Sequence, residues 1–227
     1  MENRFQQLLE VAFPASADFD VFRGVSRGIV LGDGLIENTP WLKEGGGHDL
    51  RGFARRHGIM FSVRDLCIKG DLPFSAEIVA MPHGPWHWLE IRSANFVAHI
   101  CRTPGPYLFP DEALSRQDER LRNQLGLFDE KVRDLGELVP KIREFYAWLT
   151  YGALASEGLQ HLCWAMPPAD ESDWLAHRNI YRADREIIPE PPLPSSAPDK
   201  PSEAIKLRFK EEIEKALNDN KKDPSEY

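Results

Sequence analysis

Four short apolar segments separated by tight turns, between residues 59 and 103, constrain the fold of this chain more than any other feature. Aromatic and β-branched side chains, which fit the pleated surface of a sheet, are frequent in three of them, at 74–82, 86–93 and 96–103. The turns between these three are too short for the crossover that parallel strands require, so we expect antiparallel neighbours. The alternating side chains of 59–68 predict a first strand of the same meander.

Amphipathic spacing predicts helices on both sides of these strands. Residues 2–13 and 17–30 place apolar side chains along one helical face, and Pro14 and the Gly32-Asp33-Gly34 run are typical helix ends. The other elements predicted from the sequence are a loop at 37–49, helices at 49–57, 110–125, 129–135, 140–151 and 171–181, and a strand at about 159–166. Together they indicate an α+β fold, with an antiparallel sheet packed with helices.

The composition changes at residue 188 and divides the chain into three parts. Residues 1–187 are long enough for a single α+β globular domain, and the chain's content of 42% hydrophobic and 28% charged residues is ordinary for one. Residues 188–201 are rich in proline, which predicts an extended linker. Residues 202–227 read as an amphipathic helix followed by a polar tail. The apolar stripe of that helix consists of Ile205, Phe209, Ile213 and Leu217.

Charge and cysteine content narrow the possible partners and the compartment. The net charge of −8 argues against broad nucleic-acid binding, because phosphate contacts need clustered lysine and arginine. No apolar run approaches the roughly 20 residues that span a bilayer, and the charged N-terminal residues differ from a secretory signal. Cys67, Cys101 and Cys163 are odd in number, which fits free thiols in a reducing compartment. We therefore expect a cytoplasmic protein without a membrane segment.

A glycine run followed by arginines is a candidate anion site. Gly45-Gly46-Gly47 leads into the helix predicted at 49–57, which carries Arg51, Arg55 and Arg56. The unbonded amides at a helix start attract anions, and arginine adds positive charge. The spacing matches neither a P-loop nor a dinucleotide-binding fingerprint. The alternative is a surface loop beside a solvated row of arginines.

Two His-x-Cys units form a candidate zinc site. His99 and Cys101 share one face of a predicted strand, and His161 and Cys163 share one face of a later strand. If the two strands are neighbours, the four side chains converge as a Cys₂His₂ set. The spacing is not that of a known zinc finger, and the ordinary interpretation of such residues on a covered sheet face is packing. No cofactor other than zinc is expected.

Acidic residues in the predicted sheet are candidate catalytic groups. Asp65, Glu77 and Glu90, with Arg92 nearby, are of the types that bind a divalent metal and cleave phosphodiesters. Arginine stays protonated, however, so Arg92 cannot act as a base. The alternative is that these residues form cross-strand ion pairs or a solvated face.

Two tryptophans are candidate partner-binding residues. Trp86 and Trp88 fall on one face of the strand predicted at 86–93. An exposed pair would form a recognition patch, because tryptophan is frequent at interface hot spots. A pair covered by helices would belong to the core.

The leading interpretation of function is a non-enzymatic protein–protein interaction module. The helix at 202–217 would dock into a protein partner or onto a second copy, and the linker would raise its effective concentration there. The alternative for this segment is that it folds back onto its own domain and buries its apolar stripe there. The alternative is a metal-dependent hydrolase or nuclease acting on phosphoesters through the strand carboxylates or the His/Cys set. A third interpretation, a sensor that binds a small molecule between sheet and helices, is left open by the sequence.

Overall fold

A computed structural model describes residues 3–124, 144–154, 158–170 and 173–181 of the chain. The described helices are α1 (Arg4–Ala12), α2 (Asp18–Asn38), α3 (Pro40–Lys43), α4 (Gly46–Lys69) and α5 (Leu114–Arg120), with short 3₁₀ turns at Ala15–Ala17 and Leu121–Asn123. The described strands are β1 (Ser75–Ala80), β2 (His87–Ser93), β3 (Phe96–Arg102), β4 (Phe145–Leu154), β5 (Gly158–Met166) and β6 (Ala176–Asn179).

The six strands form one mixed, mostly antiparallel sheet in the order β1-β2-β3-β4-β5-β6. Every neighbouring pair is antiparallel except β3 and β4, which run parallel with Phe96 opposite Phe145. The sheet therefore consists of two three-stranded meanders joined along one parallel ladder. Helices and this sheet together confirm the predicted α+β fold class.

Helices α2 and α4 pack against each other at unusually close range because glycines lie between them. Gly24, Gly28 and Gly32 recur every four residues and therefore share one face of α2. A Cβ atom added at Gly28 would lie 2.3 Å from Cα of Ile59, and one added at Gly32 would lie 2.5 Å from Cα of Arg55. The backbones of the two helices can approach this closely only because these positions carry no side chain.

The main core lies between the sheet and helices α1, α2 and α4. Phe13, which directly follows α1, stacks on Trp164 of β5 with ring centroids 4.0 Å apart. Arg178 of β6 donates a hydrogen bond to Asp18 Oδ1 over 2.8 Å and so ties the last strand to the start of α2. After Trp164 and Phe13, the largest fully buried apolar side chains of this core are Leu9, Ile59, Leu89, Ile91, Leu149, Leu162, Met166 and Ile180.

A smaller cluster covers the opposite face of the sheet. Cys101, Tyr146 and Trp148 are buried there, with Phe109 and Trp174 packed against them. The rings of Phe109 and Trp174 stack with centroids 4.2 Å apart. Both faces of the central strands are therefore covered.

The strand predicted at 59–68 is wrong, because these residues form the second half of α4. Ile59, Met60, Val63 and Leu66 are buried at helical spacing, and the alternation of period two in the sequence is coincidental. The loop predicted at 37–49 is likewise wrong at both ends. Helix α2 continues through the Gly32-Asp33-Gly34 run to Asn38, and α4, predicted only at 49–57, already begins at Gly46.

Two other predicted helices are strands where the structure describes them. Residues 145–151 belong to β4, whose side chains are buried on both faces, so the sequence lacks the alternation of a half-exposed strand. Residues 176–179 belong to β6 rather than to a helix at 171–181. Helix α5 begins at Leu114, four residues later than predicted.

The remaining strand predictions are confirmed. The segments at 74–82, 86–93, 96–103 and 159–166 contain β1, β2, β3 and β5. The helix predicted at 129–135, the linker at 188–201 and the helix and tail at 202–227 lie outside the described residues.

Candidate functional site

An apolar groove runs across the surface of the helical layer. It has a volume of about 540 Å³ and is formed by α2, α3 and α4. Gly32 and Gly58 line it where the two long helices cross. The apolar side chains that define this helical groove are Leu31, Leu35, Leu42, Leu50, Phe53 and Phe61.

Several of these apolar side chains are exposed to solvent, although burial would stabilise them. Leu35 and Phe61 each retain 57% of their accessible surface. Phe53 is also exposed, and the ring of Trp86 stacks on it with centroids 5.5 Å apart. The apolar surface of the helical groove therefore extends onto the residue preceding β2. Contiguous exposed apolar surface of this kind marks binding sites in soluble proteins.

Trp86 and Trp88 do not form one recognition patch. Trp86 is 49% exposed and belongs to the edge of the helical groove, whereas Trp88 is 7% exposed. Trp88 stacks on His99 with ring centroids 3.7 Å apart, on the sheet face opposite α2 and α4. Of the two predicted partner-binding tryptophans, only Trp86 is placed where a partner could contact it.

A second cavity, of about 160 Å³, lies between the first turns of α4 and the ends of β3 and β4. This arginine pocket is lined by His48, Arg51, Gly52, Arg55, Arg102, Tyr151 and Ala153. Two of the three predicted anion-binding residues, Arg51 and Arg55, are thus brought together. The third, Arg56, is not among them and donates a hydrogen bond to the His87 carbonyl over 2.8 Å.

The arginine pocket includes residues that the sequence did not single out. Arg102 and Tyr151 are opposite each other across the β3–β4 ladder, and their strands were not predicted to be neighbours. The alternation of β3 places Arg102 on the same face as Phe96 and Ala98, which pack against the helices. One signal in the sequence could have identified Arg102 as a site residue. It is a charged side chain that strand alternation places on the apolar face of β3, at the end of the strand.

The predicted His/Cys metal set lies on one sheet face but does not converge. Strand β4 separates β3, which carries His99 and Cys101, from β5, which carries His161 and Cys163. Two strand spacings, about 10 Å, separate the backbones of β3 and β5. The His161 ring lies over Gly152 of β4 and reaches Thr103 rather than His99 or Cys101. Among the residues that the structure describes, no three His, Cys, Asp or Glu side chains are grouped to hold a metal.

The local partners of these residues indicate packing roles. His99 Nδ1 is hydrogen-bonded to the Tyr146 hydroxyl over 2.9 Å, and His161 Nε2 to the Thr103 hydroxyl over 2.8 Å. Burial raises the pKa of the Cys101 and Cys163 thiols to about 11. Burial therefore favours the protonated thiol, as expected for cysteines packed in a core.

The predicted catalytic carboxylates are dispersed. Asp65 lies on α4, where Lys69 contacts it at 2.7 Å, on the opposite side of the sheet from Glu90. Glu77 of β1 is directly opposite Glu90 in the ladder. Arg92 forms ion pairs of 2.6 Å with Glu90 and with Glu144. Asp65 and Glu90 therefore form ion pairs within their own elements, and Glu77 is exposed to solvent.

Burial and neighbouring charges shift the pKa values of Glu90 and of the two aromatic residues beside it. His99, 3.8 Å from Glu90, and Arg92 hold the pKa of the Glu90 carboxyl at about 2, against the opposing effect of burial. Burial lowers the pKa of His99 and raises that of Tyr146 well above its ordinary value. Burial therefore favours the neutral forms of His99 and Tyr146, whereas the contacts with His99 and Arg92 favour the ionised form of Glu90.

The predicted docking residues Ile205, Phe209, Ile213 and Leu217 lie outside the described part of the chain. Within that part, no helix is long and apolar enough to cross a membrane. Comparisons with protein-family models, curated proteins and solved structures found no match to this chain. Function must therefore be inferred from the surfaces themselves.

Proposed function

We propose that this protein is a non-enzymatic interaction module whose helical groove binds the amphipathic segment 202–217 of a second copy. The observation that supports this proposal is the exposed apolar surface of the groove, with Leu35 and Phe61 each more than half accessible. A helix laid into such a groove buries its apolar face and that of the groove together.

The dimensions of the two surfaces agree. Along α4, the groove extends from Leu50 to Phe61, which at 1.5 Å per residue is about 17 Å. From Ile205 to Leu217 the stripe of the C-terminal segment would extend about 18 Å if the segment is helical. The anchors at 205, 209, 213 and 217 recur every four residues, as a helix in a groove requires.

Removing half-exposed leucine and phenylalanine side chains from water supplies the driving force. Full burial of such a side chain contributes about 1.5–3 kcal/mol, so covering the exposed half of each groove residue contributes about 1 kcal/mol. Several such contributions must together exceed the entropic cost of association. We therefore expect reversible self-association that depends on protein concentration.

The test is sedimentation velocity of the full-length chain and of variants with one acidic substitution on either surface. Phe61→Asp in the groove and Phe209→Asp in the stripe should each abolish self-association, because each places an unpaired charge in the apolar contact. Two controls introduce the same residue elsewhere. Val11→Asp, at an exposed position of α1, and Asn218→Asp, outside the apolar stripe, should associate like the unmodified chain.

Mixing the two disruptive variants tests the exchange between copies directly. Phe61→Asp retains an intact stripe and Phe209→Asp an intact groove, so an equimolar mixture should form a heterodimer through one intact contact. A full-length chain that stays monomeric at all concentrations, or a mixture that fails to associate, contradicts the proposal.

A further inference from the structure

We propose that the arginine pocket binds a dianionic phosphate group, either as inorganic phosphate or as the terminal phosphate of a small ester. This site is separate from the helical groove and does not depend on the proposed self-association. The proposal rests on the charge, the free hydrogen-bond donors and the size of the cavity.

The charge of the pocket is positive because only one of its arginines is neutralised by a close carboxylate. Arg55 is buried and donates to both Asp33 oxygens over 2.7 and 2.8 Å and to the Leu154 carbonyl over 3.0 Å. Arg51 makes only long contacts with carboxylates, 3.4 Å to Asp33 and 3.9 Å to Glu37. Among the described residues, Arg102 forms no ion pair and no carboxylate lines the cavity.

Arg51, whose contacts with carboxylates are long, and Arg102, which has none among the described residues, give the pocket positive charge that suits a phosphate dianion. Guanidinium presents paired N–H donors that fit the spacing of phosphate oxygens. Arg55, held in place by Asp33, supports the wall from which Arg51 extends. The pocket is therefore arranged before any ligand binds, which lowers the cost of ordering its side chains.

A tyrosine hydroxyl adds a third donor. Tyr151 is 3% exposed as a residue and lines the cavity, and no hydrogen bond joins its hydroxyl to another described residue. This hydroxyl can therefore donate to an acceptor that enters the pocket. His48 lines the opening from the first turn of α4 and supplies a further ring nitrogen.

The size of the cavity limits the ligand. At about 160 Å³ the pocket is smaller than the roughly 300–1,000 Å³ of sites that enclose drug-sized molecules. It fits a phosphate group but does not enclose a nucleotide, so any ester must extend into solvent past the exposed His48 and Arg102. Gly52 leaves open space in the wall, because an added Cβ would meet no atom within 4 Å.

The test is isothermal titration calorimetry of the full-length chain with inorganic phosphate, phenyl phosphate and benzoate at constant ionic strength. We expect saturable binding of inorganic phosphate or phenyl phosphate and weaker binding of benzoate. If phenyl phosphate binds more tightly than inorganic phosphate, the site takes an ester; the reverse order assigns it to the free ion. No saturable binding of either phosphate, or equal binding of benzoate, overturns the proposal.

Substitutions locate the binding within the pocket. Gly52→Leu fills the cavity without removing a charge, and Arg102→Gln removes a charge at an exposed position; each should weaken phosphate binding about tenfold or more. Tyr151→Phe should weaken it less, because it removes one neutral donor. Arg64→Gln, which removes an exposed charge from the same helix, is the control and should leave the affinity unchanged. Equal weakening by Arg64→Gln would mean a diffuse charge effect and would overturn the assignment.

Discussion

Replacing Gly28 by alanine is the most direct test of the close contact between α2 and α4. The added methyl carbon would lie 2.3 Å from Cα of Ile59 and 2.4 Å from its nitrogen. Ordinary van der Waals contact begins near 3.4 Å, so the available space is about 1.1 Å too small. Both obstacles are backbone atoms, and no side-chain rotation can relieve the overlap. The helices must therefore separate along the contact.

The expected loss of stability follows from two opposing terms. Overpacking a well-packed core costs about 1–3 kcal/mol and occasionally more, and backbone obstacles place Gly28→Ala at the upper end of that range. Alanine recovers about 1 kcal/mol through its higher helix propensity. We therefore expect a net decrease of about 2 kcal/mol in the free energy of unfolding.

Gly34→Ala is the matched control in the same helix. The nearest atom to a Cβ added at Gly34 is Nδ2 of Asn38, at 3.7 Å, so only the propensity term applies. We expect an increase of up to about 1 kcal/mol. Urea unfolding monitored by far-UV circular dichroism measures both changes as shifts of the midpoint at an unchanged slope. A Gly28→Ala variant as stable as Gly34→Ala would refute the reasoning.

Two further predictions concern charged groups. Asp33→Asn leaves the buried Arg55 guanidinium without its carboxylate and should lower the free energy of unfolding by about 3–5 kcal/mol. Asp65→Asn is the comparison, because the pair between Asp65 and Lys69 is more exposed. In the same urea assay it should lower the free energy of unfolding by less than about 1 kcal/mol. Because the pKa of Glu90 is lowered from 4.5 to about 2 in the folded state, its contribution to stability is complete above pH 4.5 and is lost as the pH falls towards 2. The stability advantage of the unmodified chain over Glu90→Gln should therefore shrink across that pH range, and an advantage that stays constant would contradict this assignment.

Local patterns in the sequence predicted the antiparallel parts of the sheet but not the elements whose environment is unusual. The segments that became β1, β2 and β3 are bounded by clear turns and paired with their neighbours in the chain. Strand β4 is buried on both faces and shows no alternation, so its apolar spacing was equally compatible with a helix. Residues 59–68 were predicted as a strand because their side chains alternate by chance, whereas they form part of α4 and bury one helical face.

The glycines of α2 were visible in the sequence, but the Gly32-Asp33-Gly34 run was interpreted as a helix end and the spacing of Gly24, Gly28 and Gly32 was not used. Their spacing of four residues is the signal for close helix packing, and it would have predicted both the full length of α2 and its contact with α4. The arginine pocket could be predicted only in part. Arg51 and Arg55 are close in sequence, whereas Arg102 and Tyr151 join them through the β3–β4 pairing, which no local pattern encodes.

The parallel ladder between β3 and β4 also determines the order in which the sheet can form. Strands that pair with their chain neighbours close short loops, and such hairpins form within about 1–10 μs. Phe96, in contrast, must find Phe145, 49 residues later in the chain, before any stabilising contact across this ladder is gained. We therefore expect the meeting of the two meanders to be the slow event in folding, and substitutions along this ladder to change the folding rate.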